Sequence, residues 1–207
     1  MRHIPKEDTF HTSFLSFEEA LVPVSDDYDR EKWIYVPDRY SEYRYILGTR
    51  GQKPLICIGI NPSTAVPDRL DNTLKSVQRI AQFNGYDSFI MFNVYAQRAT
   101  LPDDMDRIMN PLLHRENMKA FRWILEHTGM GKRPDLWAAW GAIIEKRGYL
   151  AECIRDMAKI GNEYGASWWT AGSRSKSGHP HHPLYLKSNT PLDPFPDLGD
   201  YLKHIGK

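Results

Sequence analysis

Runs of consecutive apolar residues alternate along the chain with segments whose apolar residues recur at helical spacing. A continuous apolar run is typical of a strand that is covered on both faces by helices. Three such runs predict core strands over residues 54–60, 88–94 and 135–141, and a shorter segment over residues 167–171 predicts the last strand. An alternating, aromatic-rich segment predicts a further strand over residues 43–47. The turn at residues 48–53 predicts that the first two strands form an antiparallel hairpin.

The segments between the core strands predict helices. One follows Asp71, which can cap it, and carries Leu74, Val77 and Ala81 on a single face. Two longer periodic segments predict helices over residues 114–127 and 143–160. This alternation places the chain in the α/β fold class, as a three-layer α/β/α sandwich around a mostly parallel sheet.

Composition limits the kind of protein this is. The chain has 207 residues, 41% of them hydrophobic, which predicts a single domain over residues 1–207 with an irregular extension at residues 1–40. It contains no stretch of about 20 apolar residues and no secretory signal pattern, so no membrane association is expected. Two cysteines among apolar neighbours favour the reducing cytoplasm. The net charge of +1 argues against tight, non-specific duplex binding.

Polar residues follow the first core strand, at the sheet edge where ligands of α/β proteins bind. Gly59 permits close approach of a ligand, and Pro62 keeps Asn61 out of helical geometry. Asn61 could therefore hold a water or a ligand amide, while Ser63 and Thr64 could bind an anion. The alternative is a turn in which these side chains only satisfy backbone groups.

Other candidate residues fall at the same edge. Asn93 ends an apolar strand, and its amide could read the edge of a nucleobase. Arg98 could bind phosphate, or it could pair on the surface with a carboxylate such as Asp103. Asp71 either contacts a ligand or only caps its helix. Two further candidates for ligand contact are Thr100 and Trp140.

A loop near the C-terminus combines basic residues with histidines fixed by prolines. Arg174 and Lys176 supply positive charge for a phosphate, and Tyr185 ends the motif. Next to the prolines, His179 and His182 could donate hydrogen bonds or transfer protons. The alternatives are a solvated turn and a metal hydrolase that uses both histidines together with His181. Because the prolines hinder convergence of all three imidazoles, no metal and no other cofactor is expected.

These motifs resemble the DUF1643 family, a bacterial and phage family of unknown function, over about residues 43–187. The matching positions are Gly59–Ala65, Asp71, Thr73, Asn93, Ala96, Arg98–Thr100, Asn110, Pro111, Asn117, Ala139–Gly141 and His182–Leu186. A more distant likeness joins Gly59–Pro62 and His182-Pro183 to two motifs of the uracil-DNA glycosylase superfamily, which has an α/β/α sandwich. The sequence differs from those motifs at Ser63, where they have glycine, and at Leu184, where they have serine.

The likeness to glycosylases implies roles for three residues. Asn61 would hold the attacking water, Asn93 would read the base edge, and His182 would polarise a base carbonyl. The leading hypothesis is therefore a hydrolase of N-glycosidic bonds, acting on a nucleobase in DNA or in a nucleotide. The alternative is a non-catalytic module that binds a nucleotide or a nucleic acid. In both hypotheses the two loops form opposite walls of one site.

Overall fold

The computed structural model describes residues 2–128 and 131–206, and its seven strands form one sheet in the order β1-β2-β4-β3-β5-β6-β7. The four central strands are parallel: β3 (Pro54–Gly59), β4 (Ser88–Asn93), β5 (Asp135–Ala138) and β6 (Ser167–Ala171). The outer strands run antiparallel to their neighbours: β1 (Trp33–Val36), β2 (Ile46–Thr49) and β7 (Leu192–Pro194). The predicted parallel core is confirmed in these four strands.

Five helices accompany the sheet in the part of the chain that the structure describes: α1 (Phe17–Ala20), α2 (Asn72–Phe83), α3 (Pro111–His127), α4 (Gly148–Glu163) and α5 (Leu198–His204). Asp71 caps α2 by accepting a hydrogen bond from the Leu74 N–H at 2.9 Å. Helix α3 starts earlier than its periodicity predicts, because Asn110 caps it and Pro111 fits the first turn. Helix α4 starts later, because Gly141–Glu145 form a separate 3-10 turn.

Helices cover both faces of the sheet. Along β3, Leu55 and Cys57 pack into the same apolar cluster as residues of α2. Ile56 and Ile58 alternate with them and pack into the cluster that contains residues of α3 and α4. Both faces of β3 are therefore buried, which explains why its sequence is continuously apolar. The α/β class with helices on both faces is confirmed.

The predicted hairpin between the first two strands is wrong. Strand β4 lies between β2 and β3, with Leu47 of β2 opposite Met91 of β4. Strand β3 is central and pairs with β4 on one side and with β5 on the other. It therefore has no free edge for β2, although only a short turn separates the two strands in sequence.

The sequence predicts that residues 1–40 are irregular, but the structure has a helix and a strand in this range. Strand β1 extends one edge of the sheet, and α1 buries Phe17 and Ala20 in the core. Strand β7 and helix α5, near the C-terminus, were also not predicted. Each of these elements has at most seven residues, too few to show a clear period. Within the described ranges, no helix has the length and apolar character needed to cross a membrane.

Candidate functional site

A cavity of about 690 Å³ opens where the strand order reverses at β3. Strand β4 lies to one side of β3, and β5 and β6 lie to the other. This is the place where open α/β sheets bind ligands, and the volume suits a small molecule. The cavity wall comes mainly from five parts of the chain, numbered 59–64, 71–74, 99–102, 141–143 and 175–185.

The two loops singled out by the sequence lie on this one cavity. The predicted residues that line it are Gly59, Asn61, Ser63, Thr64, Asp71, Asn93, Thr100, His179, His182 and Tyr185. The predicted residues that do not line it are Pro62, Arg98, Trp140, Arg174 and Lys176. His181 and Arg44 also line it, and Arg44 was not among the predicted residues.

Asn93 presents an unpaired amide to the cavity. Its side chain is buried, and neither Oδ1 nor Nδ2 has a hydrogen-bond partner among the described residues. A Cβ atom on Gly59 would lie 3.2 Å from this Oδ1 and would also meet Met91 Cε, so glycine keeps the space open. Asn117 Nδ2 donates to the carbonyls of Asn93 at 3.0 Å and Val94 at 3.3 Å, which fixes the end of β4. The backbone at Asn93 is thus fixed, and the side-chain amide keeps a donor and an acceptor free of described partners.

Asn61 uses half of its amide to join two loops. Its Nδ2 donates to the carbonyl of Ala99 at 2.7 Å and to that of Pro62 at 3.1 Å. The Pro62 carbonyl also accepts from the Ala99 N–H at 2.9 Å, so Pro62 acts through its backbone behind the cavity wall. What remains at Asn61 is Oδ1, an acceptor that can hold a water or a ligand N–H.

His182 is oriented by its own loop. Its Nδ1 accepts a hydrogen bond from the Leu184 N–H at 3.4 Å, which places the imidazole proton on Nε2 in the neutral form. Burial lowers the pKa of His182, and the nearby carboxylate of Asp71 opposes that shift only in part. Near neutral pH the side chain is therefore an uncharged donor on the cavity wall.

His179 is oriented by a buried chain of hydrogen bonds. Trp140 Nε1 donates to Tyr201 Oη at 2.9 Å, and that oxygen lies 3.0 Å from His179 Nδ1. An indole N–H can only donate, so Tyr201 Oη accepts from Trp140 and lies within hydrogen-bonding distance of His179 Nδ1. Trp140 therefore lies behind the cavity wall and is joined to the site through Tyr201.

The three histidines of the C-terminal loop do not form a metal site. Across residues 2–128 and 131–206, no three side chains of His, Cys, Asp or Glu are grouped so that they could hold a metal ion. His179 and His182 already use their Nδ1 atoms for hydrogen bonds with Tyr201 and Leu184. The metal-hydrolase alternative therefore has no ligand set in this geometry.

Arg98 is buried behind the first loop. It donates to the carbonyls of Ser63 and, at 3.3 Å, Ala65, and its Nη2 donates to Tyr35 Oη at 3.0 Å. The alternative surface pair with Asp103 is wrong, because Arg98 has no exposed surface and Asp103 pairs with Lys146 at 2.7 Å. Arg98 holds the loop instead of lining the cavity.

Arg44 is the functional candidate that sequence reasoning missed. It is 1% exposed, it lines the cavity, and its Nη1 donates to the Ala65 carbonyl at 3.2 Å. Burial and the neighbouring Arg98 lower the pKa of Arg44 to about 9, so the group is charged at neutral pH. The sequence feature that could have indicated Arg44 is its position as a single cation between two aromatic residues, Tyr43 and Tyr45, of a predicted strand.

The basic residues of the C-terminal loop lie away from the cavity. Arg174 forms an ion pair with Asp197 at 2.8 Å and lies over the ring of Phe195 at 4.7 Å. Lys176 is exposed. The phosphate contacts predicted for these two residues therefore have no counterpart on the cavity wall.

A family model described as "Protein of unknown function (DUF1643)" matches residues 44–184, which is more than half of the chain. No curated protein and no solved structure matches it. The likeness to uracil-DNA glycosylases thus finds no support in these comparisons. The matched range begins at Arg44 and ends at Leu184, and both residues line the cavity.

Proposed function

We propose a function from the cavity itself, because the chain belongs to DUF1643, a family whose function is unknown. The chain binds a nucleobase between its two loops and hydrolyses the N-glycosidic bond of that base. The substrate is a nucleotide or a nucleic acid from which the base is turned out into the cavity. This agrees with the distant motif likeness to the uracil-DNA glycosylase superfamily.

One observation carries the proposal: among the residues that the structure describes, neither polar atom of the buried Asn93 amide has a hydrogen-bond partner. A buried polar group left unpaired costs about 1–3 kcal/mol, so such a group on a cavity wall favours a ligand that completes it. Asparagine pairs bidentately with a base edge that offers a donor beside an acceptor. Nucleobases have such edges, and a cavity of about 690 Å³ can hold one.

Three further side chains supply the chemistry. Asn61 Oδ1 holds the attacking water, whose oxygen bonds to the sugar C1′ as the C1′–N bond breaks. The bonding electrons pass to the base, and the Nε2–H of His182 stabilises the negative charge that develops there. Asp71, the only acidic side chain on the described cavity wall, accepts the proton of the water. These residues account for the proton of the water and for the charge on the leaving base, so the proposed reaction needs no cofactor.

The test is base release from single- and double-stranded oligonucleotides that contain uracil, mismatched or damaged bases, and from free nucleotides. We expect the wild type to release at least one base, and an Asn61→Ala, His182→Ala double variant to lose this activity. His127→Ala, an exposed histidine outside the cavity, is the matched control and should retain it. Release no greater than that of the double variant, across the whole panel, would reject hydrolysis.

The second candidate function is a non-catalytic binding module. It is favoured because two of the residues proposed for catalysis also have structural roles. Asn61 joins two loops through its amide, and Asp71 caps α2. The hydroxyl of Ser63 forms a hydrogen bond of 3.1 Å with the hydroxyl of Thr100. The glycosylase motif that this loop resembles has glycine at the position of Ser63. Thermal stabilisation by nucleotides without any base release would identify this function.

We also propose that the protein works in the cytoplasm and without a membrane. Cys57 and Cys153 are buried and form no disulfide, as expected of a protein in a reducing compartment.

A further inference from the structure

We infer that the cavity binds an oxyanion of its ligand, the phosphate of a nucleotide, on the guanidinium of Arg44. This inference rests on the proposed function for the base and adds the charge of the ligand to it. A nucleotide, rather than a free base or a nucleoside, is then the recognised unit.

Arg44 is a buried cation that the protein leaves incompletely paired. Only 1% of the residue is exposed, and it lines the cavity. Its side chain makes one hydrogen bond with a described residue, from Nη1 to the Ala65 carbonyl, and its Nε is buried without a described partner. No described carboxylate forms an ion pair with it. Buried charges are normally paired, and Asp71 acts on Arg44 only by attraction at longer range, so an anion at hydrogen-bonding distance would complete the pairing.

A second guanidinium increases the need for negative charge. Arg98 Nη1 donates to the same Ala65 carbonyl, at 3.3 Å, as Arg44 Nη1 does at 3.2 Å. Two like charges thus converge on one neutral acceptor, and Arg98 also has no described carboxylate partner and a buried, unpaired Nε. Asp71 is the only acidic residue on the described wall, so the local charge stays positive. A ligand anion on Arg44 balances it.

The start of α2 adds a second attraction for an anion. Asn72 and Thr73 line the cavity at the first turn of this helix, which has 12 residues. Free N–H groups and the helix dipole make such an end favourable for phosphate. Asp71 acts in the opposite direction, since its carboxylate repels an anion. The Asp71→Asn substitution keeps a capping side chain, so its effect on anion affinity can be measured in a folded protein.

The experiment is calorimetric titration with each nucleoside, with the matching 5′-monophosphate, and with inorganic phosphate. We expect the wild type to bind at least one monophosphate at least ten-fold more tightly than its nucleoside. Arg44→Gln should abolish this difference and leave nucleoside affinity unchanged. Asp71→Asn should tighten monophosphate binding only. Arg122→Gln removes an exposed arginine that pairs with Glu163 on the surface, and it should change neither affinity.

The outcomes separate the two proposals. Equal affinity for nucleosides and monophosphates would overturn the phosphate site while supporting base binding. Binding of inorganic phosphate that depends on Arg44, with no preference among bases and no nucleoside binding, would support the phosphate site and overturn base binding. If Arg44→Gln does not fold, an unchanged monophosphate affinity in Asp71→Asn would overturn the phosphate site. Failure of every probe to bind the wild type would overturn both.

Discussion

Two buried asparagines meet where β4 ends, Asn93 of the strand and Asn117 of α3, and they differ in what their amides contact. Asn117 Nδ2 donates to the carbonyls of Asn93 and Val94, and only its Oδ1 is unpaired. Asn93 makes no side-chain hydrogen bond with a described residue and borders the cavity. The first amide therefore stabilises the fold, and the second is available to a ligand.

This contrast predicts opposite effects of alanine substitution. Asn117→Ala removes two buried hydrogen bonds and should lower the free energy of unfolding by about 2 kcal/mol. Asn93→Ala relieves the cost of an unpaired buried group but also loses the packing of that side chain, so the net change should be less than about 1 kcal/mol while base binding is abolished. Urea unfolding and calorimetric titration measure the two quantities. A loss of stability in Asn93→Ala as large as that in Asn117→Ala would mean that Asn93 is structural.

His182 should make stability depend on pH. Because burial lowers its pKa in the folded state, the unfolded chain takes up this proton first as the pH falls below about 6.5. Protonation then favours unfolding, so stability is lost as the pH falls and is kept above that value. We expect urea unfolding between pH 7.5 and 5.0 to show a shallower decline for His182→Gln than for wild type. If the stability of the two proteins declined equally with falling pH, His182 would not be the source of the pH dependence.

At the scale of residues, the sequence indicates the cavity wall where a polar side chain interrupts an apolar strand end. Asn93 ends such a strand, and the structure places it on the cavity wall. The sequence does not indicate where the arginines lie, because formal charge does not show whether a side chain faces the cavity or a loop. Arg98 binds loop carbonyls and Arg44 faces the cavity, although both are buried.

At the scale of elements, the sequence predicted strands and helices better than it predicted their pairing. Strands β3, β4 and β5 are buried almost throughout, so their apolar runs identify them without any knowledge of their neighbours. Pairing depends on which strand is central, and the runs carry no such information. The insertion of β4 between β2 and β3 could therefore not be predicted from the short turn that joins β2 to β3.

Gly48 is the residue that permits β2 to lie against β4. A Cβ atom there would be 2.8 Å from Ile90 Cα and would also meet the Phe89 carbonyl, both of which are backbone of β4. Gly48→Ala should therefore lower the free energy of unfolding by about 2–3 kcal/mol through overpacking. Gly199 in α5 has no atom within 4 Å of such a Cβ, so Gly199→Ala should be neutral or stabilise by up to about 1 kcal/mol. Equal urea midpoints for the two variants would contradict this role.

At the scale of the whole molecule, the candidate site joins loops from opposite halves of the chain and depends on residues outside the family match. The matched range ends at residue 184, whereas Tyr201 in α5 orients His179. The sequence predicted that the two loops meet, because both follow core strands at one sheet edge. It did not predict the support from α5, because that short helix shows no clear period.

Tyr201→Phe tests this dependence. The substitution leaves the buried Nε1 of Trp140 without its acceptor and His179 Nδ1 without its partner. We expect the free energy of unfolding to fall by about 1–3 kcal/mol and nucleotide affinity to weaken, since His179 is no longer held on the cavity wall. Tyr164→Phe, which removes a surface hydroxyl bonded to Glu126, is the matched control and should change both quantities little. Helix α5 lies outside the family match. Equal stability and equal nucleotide affinity in the two variants would mean that the site is complete without α5.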